Sequence, residues 1–113
     1  VSTFNFAEEA NILAAGYSNS SVIIFDLHNK RQSFMFHNVL ANVLVEGVAL
    51  SPIRQLVLWV GIDGKLCLGS WLRNITNCIL AHSFNATAIE YREIDGLVLT
   101  CGGDRTCKSW RIQ

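Results

Sequence analysis

Charge is in short supply in this sequence, and so are the marks of several common protein classes. Nine Lys and Arg offset nine Asp and Glu over 113 residues, and only 16% of positions are charged. A chain with zero formal charge has no electrostatic pull on nucleic acid or on an anionic membrane, so no nucleic-acid partner is expected. No apolar run approaches the ~20 residues that cross a bilayer, so no membrane span is expected either. The start, Val1-Ser2-Thr3-Phe4, has neither the charged region nor the apolar stretch of a secretory signal. It also lacks an initiator Met, as a piece of a longer chain would. Helical periodicity is missing as well. Residues Ile53 to Val60 come nearest, but the run is too short and Gly61 follows it.

Metal-binding spacing is equally absent. No two of Cys67, Cys78, Cys101 and Cys107 form a CxxC, and His28, His37 and His82 are far apart. No metal or cofactor is expected. Each cysteine lies in an apolar or alternating segment, where a free thiol acts as a small hydrophobe. Four reduced thiols, and hence a cytoplasmic or nuclear setting, are the expectation. Three glycosylation-type triplets, at Asn19, Asn74 and Asn85, point the other way and matter only in a secreted protein.

What the sequence does hold is a hairpin written three times. Half the residues are apolar, enough to bury a core. The sixteen residues before Gln113, Leu97 to Ile112, show an apolar run, a Gly102-Gly103-Asp104 turn and an alternating strand. Weaker copies surround Asn19 and Asp63, so the turn markers 19, 63 and 104 lie 44 and 41 residues apart. A further short strand precedes each hairpin, at Phe4–Phe6, Val48–Leu50 and Ile89–Tyr91. A fourth follows the first two, at Gln32–Phe36 and Asn77–Ala81.

Four strands per unit of about 40–45 residues is the WD-repeat period. The chain resembles part of a WD-repeat β-propeller. Phe25-Asp26 stands where that family has Trp-Asp, and Trp110 stands at the same offset from its turn. Ala81-His82 is similar to the family's Gly-His pair, Ile89 follows at the expected distance, and Leu50-Ser51-Pro52 matches an apolar-Ser-Pro turn. The resemblance implies an all-β fold of four-stranded antiparallel blades in an incomplete propeller. The blades would cover 1–42, 43–85 and 86–113, the last lacking its outer strand. It further implies the C-terminal blades of a longer propeller, whose remaining blades would be one partner of these.

The family's buried network maps onto His82, Thr100, Asp104 and Trp110. These four are expected as scaffolding and not as a hydrolase triad, since nothing suggests a nucleophile elbow or an oxyanion hole. At the matching positions the second unit has Trp59 and Gly69, and the first has Ala15 and Phe25. Both units should lack the network. Facing pairs are expected at Thr100 and Trp110, at Trp59 and Gly69, and at Ala15 and Phe25. Trp71 is an alternative marker, of a bulged strand.

The connection from His37 to Val48 is four residues longer than that from His82 to Ile89 and unusually apolar. It is expected to start the inner strand early or to pack on a neighbour; the sharper alternative is a partner-binding patch. The candidate partner-binding rim is Asn38, Asn42, Glu46, Asn85 and Arg105. The resemblance implies a non-catalytic scaffold for other proteins in a larger complex. A phosphoinositide-binding propeller is the alternative, although the paired-Arg motif is missing and Lys30-Arg31 is the only adjacent basic pair. An enzyme is less favoured still, for want of a carboxylate pair or a His cluster; Glu8-Glu9 suits a solvated turn.

Overall fold

The computed structural model describes residues 3–17, 21–28, 31–36, 44–73 and 75–112, with the backbone alone described at 9 and 31–34. Over these residues the chain forms eleven strands in three antiparallel sheets. The first sheet holds β1 (Thr3–Ala7), β2 (Ile12–Gly16), β3 (Val22–Asp26) and β4 (Arg31–Phe36) in sequence order. The second holds β5 (Val45–Ser51), β6 (Leu56–Gly61), β7 (Lys65–Ser70) and β8 (Ile75–Leu80). The third holds β9 (Ala86–Arg92), β10 (Leu97–Gly102) and β11 (Cys107–Arg111). Within each sheet every strand pairs with the next, as short connections between antiparallel neighbours dictate. The short alternating segments of the sequence fall in β1, β4, β5, β8 and β9. One 3₁₀ turn, Glu8–Ala10, joins β1 to β2. The fold is all-β, and no closed ring forms among the described residues.

The second sheet lies between the other two and is covered on both faces. Val48, Leu50, Val57 and Trp59 pack on Ala14, Val22, Ile24 and Phe36 of the first sheet. Ala49, Leu58, Val60 and Leu66 pack on Ala86, Ile89 and Val98 on the other side. A strand buried on both faces reads as a continuous apolar run, which is why β6 is Leu56-Val57-Leu58-Trp59-Val60. Each fully buried Val or Leu contributes about 1.5–3 kcal/mol. The third sheet is covered on one face only, and β9 accordingly alternates from Ala88 to Glu90, with Ile89 buried and Ala88 and Glu90 exposed, while the buried Ala86 lies beyond the irregularity at Cys101/Gly102.

The hairpin register differs from the expected one by one pair in all three sheets. Thr100 faces Lys108 and Val98 faces Trp110. Trp59 faces Cys67, Val57 faces Gly69, and Leu13 faces Phe25. In the second and third sheets the loops are the cause. In the third sheet Gly102 N donates to Thr106 O at 3.1 Å and Arg105 N to Gly102 O at 3.2 Å. Arg105 is left-handed, at φ 65°. In the second, Gly64 N donates to Gly61 O at 3.1 Å and Gly64 has φ 79°. Both are three-residue loops with a left-handed last residue, centred on Asp104 and Asp63 themselves. Gly69 therefore lies diagonal to Trp59 and not opposite it. Its missing side chain makes room for another ring: a Cβ there would stand 2.6 Å from Phe36 Cε1. Phe36 also meets Trp59, with ring centroids 5.5 Å apart.

Two further expectations are corrected. Trp71 sits in the turn after β7, and the β7–β8 register is regular from Lys65 to Ser70, so it marks no bulge. The irregular points are at Ile24/Phe25, Val45/Gly47 and Cys101/Gly102. Nor are all four cysteines free. Cys67 and Cys78 face each other across β7 and β8 and are joined as a disulfide. Cys101 and Cys107 are unbonded. The intracellular setting, expected from four reduced thiols, loses half of its ground.

Candidate functional site

Two hairpin turns clasp the connection from β8 to β9. On one side Gly64 O accepts the backbone N–H groups of Ala81 and His82, both at 3.0 Å. On the other, Gly103 N donates to Asn85 O at 2.7 Å. The fit is close: a side chain on Gly64 would collide with the carbonyls of His82 and Phe84, and a Cβ on Gly102 would stand 2.6 Å from the His82 ring. Glycine is required at Gly64 by the contact and by the positive φ together.

The clasp brings together the four residues expected as a network. Trp110 is diagonal to Thr100 on the same face of the hairpin, and its Nε1–H donates to Thr100 Oγ1 at 3.0 Å. An indole nitrogen can only donate, so the Thr100 hydroxyl turns its own proton to His82 Nε2, 2.9 Å away. His82 Nδ1 then donates to Asp104 Oδ1 at 3.0 Å. Thr106 and Ser83 complete the set. Thr106 Oγ1 donates to Asp104 Oδ1 at 2.7 Å and lies 3.0 Å from His82 Nδ1, and Ser83 N donates to Asp104 Oδ2 at 3.1 Å. The Thr106 hydroxyl is the main reason that the Asp104 carboxyl sits well below the usual carboxylate range. Desolvation opposes it, and the Ser83 N–H, the imidazole and the Thr106 N–H reinforce it.

Hydroxyl, imidazole and carboxylate follow one another here in the order of a hydrolase triad. The surroundings do not suit that chemistry. Thr100 and His82 are 0% and 1% exposed. The Thr100 oxygen already holds the Trp110 N–H, and Gly102 closes over the imidazole. No carbonyl can approach Oγ1. At the matching positions of the other sheets stand Trp59 and Gly69, and Ala15 and Phe25, none of which can extend such a chain.

What the clasped connection does present is a side chain. Phe84, between the two turns, is 66% exposed although its backbone is fixed on both sides. Ile62, in the β6–β7 turn, is 46% exposed. Arg105 is exposed in the β10–β11 turn, and Asn85, held by Gly103 of that turn, is half-buried. Glu46 is half-buried at the same end of β5, where Val45 faces Gly61. Of the expected rim residues, Asn85, Arg105 and Glu46 are thus placed at one end of the sheets. Asn38 and Asn42, with most of the long connection, lie outside the described residues. Phe84 was missed in the sequence, although a lone aromatic inside the polar run Ser83-Phe84-Asn85 is a readable signal.

At the opposite end a hollow of about 550 Å³ opens between the sheets, lined by Leu50, Pro52, Ile53, Tyr91, Glu8 and Glu93. Glu93 is occupied there, accepting from Ser51 Oγ at 2.7 Å and from Ile53 N at 3.3 Å. Among the described residues no group of three or more His, Cys, Asp or Glu could hold a metal ion. No helix among them is long and apolar enough to cross a membrane. No protein-family model matches the chain, and no curated protein matches it.

Proposed function

We propose that the chain is part of a WD-repeat β-propeller that acts as a non-catalytic scaffold, binding other proteins through the rim around Phe84. The observation that carries this is an exposed aromatic on a backbone clamped from two sides. Aromatic side chains held in one geometry bury much area on binding at small entropic cost and are enriched among interface hot spots. Arg105 beside it is the other residue type favoured there.

The propeller itself is supported by three stacked meanders and by the polar network of the third. The outer face of the first sheet adds to this. Phe4, Phe6, Leu13, Ile23 and Phe25 share that face by register, and Phe4 is 66% exposed. A face this apolar calls for cover, and a further blade would supply it. An intracellular setting now rests on Cys101 and Cys107 alone.

Phe84→Ser with Arg105→Gly tests the rim, since neither side chain supports the core and glycine suits the left-handed turn at Arg105. Crosslinked affinity capture should lose specific protein partners with the double variant at unchanged fold. Identical partner lists would rule out the rim. Binding of wild type to phosphatidylcholine vesicles carrying phosphoinositides, with no protein partner lost, would favour the phosphoinositide alternative.

A further inference from the structure

Cys101 and Cys107 close the hairpin that carries Asp104. They face each other across β10 and β11, and their sulfurs lie 2.8 Å apart without a bond. The hydrogen bond from Gly102 N to Thr106 O makes 102 and 106 a bonded pair. The next pair, 101 and 107, is then of the non-hydrogen-bonded kind, in which Cα atoms approach to about 4.5 Å. That is within the span of a disulfide. Cys67 and Cys78 stand in the same cross-strand relation, with Cα atoms 4.1 Å apart, and are joined. The two pairs differ in access. Each pair has one exposed member, Cys78 and Cys107, but the partner of Cys78 is Cys67 in the core between sheets, whereas the partner of Cys107 is the half-buried Cys101.

We propose that Cys101 and Cys107 form a reversible thiol–disulfide site, oxidised by small disulfides of the glutathione class. The exposed Cys107 thiolate attacks one sulfur of glutathione disulfide, expels one glutathione thiolate and leaves a mixed disulfide. Cys101 then loses its proton to solvent and attacks Cys107 Sγ, expelling the second glutathione thiolate. Two thiols give up two protons and two electrons, and one glutathione disulfide becomes two thiols. The order of attack follows from the pair itself. Cys107 is the exposed member and Cys101 the half-buried one, so Cys107 leads and Cys101 resolves; the hydrogen bond with Cys107 also holds the Cys101 thiol above its ordinary range. The new bond closes a ring around the turn 102–106, which sets both Asp104 against His82 and Arg105 on the rim. The site stands on the hairpin geometry and not on the propeller assignment.

The test is a redox titration of the natively purified protein in glutathione buffers, with acid quench, alkylation and tryptic mapping. Cys101 and Cys107 should lose alkylation together, and the peptides ending at Arg105 and Lys108 should become cross-linked, reversibly with dithiothreitol. The equilibrium constant for oxidation should fall about tenfold or more when the chain is unfolded in guanidinium, because the fold sets the effective concentration of one thiol for the other. Cys101→Ser should accumulate a single glutathione on Cys107. Equal constants in the folded and unfolded chain would overturn the proposal. So would a folded pair that stays alkylatable at ratios that oxidise the unfolded one, or a Cys101→Ser protein that takes up no glutathione.

Discussion

Thr100→Val deletes one oxygen and keeps the shape of the side chain. That oxygen accepts the Trp110 indole N–H at 3.0 Å and supplies the proton held by His82 Nε2 at 2.9 Å. Thr100 and His82 are almost wholly buried and Trp110 is half-buried, so water cannot readily replace the lost partner. Each stranded buried group costs about 1–3 kcal/mol. Two of them, one partly open to solvent, give an expected loss of about 2–4 kcal/mol. At about 4 °C per kcal/mol for a domain of this size, the melting temperature should fall by about 8–16 °C. Thr100→Ser keeps the oxygen and removes one buried methyl, at a cost of about 1 kcal/mol. Since one oxygen serves both neighbours, Thr100→Val and Trp110→Phe should be non-additive by about 0.5–3 kcal/mol. Urea denaturation followed by far-ultraviolet circular dichroism, with an unchanged m-value, measures the four variants against wild type. A Thr100→Val protein within about 0.5 kcal/mol of wild type, or one no worse than Thr100→Ser, would refute the stabilising role assigned to the shared oxygen.

Three other outcomes are expected. Gly69→Ala places a carbon 2.6 Å from the Phe36 ring, an overpacking that costs about 1–3 kcal/mol; Phe36→Leu should recover part of it, and a lone Gly69→Ala that is neutral in denaturation would show that the ring moves freely. Ser51→Ala removes the 2.7 Å bond from the second sheet to Glu93 in the β9–β10 turn and should cost about 1–2 kcal/mol; no loss would mean that this link is idle. Asp95 accepts from Arg92 Nε at 3.0 Å and Nη2 at 2.6 Å, which is the main reason its carboxyl sits lowered from 3.8 to about 2. A folded value below the unfolded one means that its contribution is complete above about pH 4 and is lost as pH falls towards 2. Asp95→Asn should flatten that part of the stability profile, by an amount that shrinks with salt because the pair is exposed. Carboxyl NMR of Asp95 with a midpoint near 4 would contradict the pairing.

The strand order and the polar set were legible because both rest on short-range pattern. Alternation and turn residues locate β9, β10 and β11, and the fixed offsets from Asp104 pick out His82, Thr100 and Trp110. The register was misjudged because it depends on the residue that closes each loop. A glycine announces the left-handed position in the second hairpin, at Gly64, but an arginine holds it in the third. Cysteine pairing inherits register, so Cys67 and Cys78 could not be matched from spacing alone. Gly69 was legible as a small residue near Trp59, but the ring that fills its space comes from Phe36, 33 positions earlier in the chain. No local pattern records a contact that distant.

The doubly covered β6 also has a bearing on how the protein is made. Its apolar run is finished at Val60, but one of the faces it needs is completed only when β10 has left the ribosome, about 40 residues later. At ~5–20 residues per second that interval is about 2–8 s. Throughout it, Leu58 and Val60 are uncovered on a strand of high β-propensity, a state that invites pairing with other nascent chains. The middle sheet, the most protected part of the finished molecule, therefore has an apolar face that must wait for strands made after it.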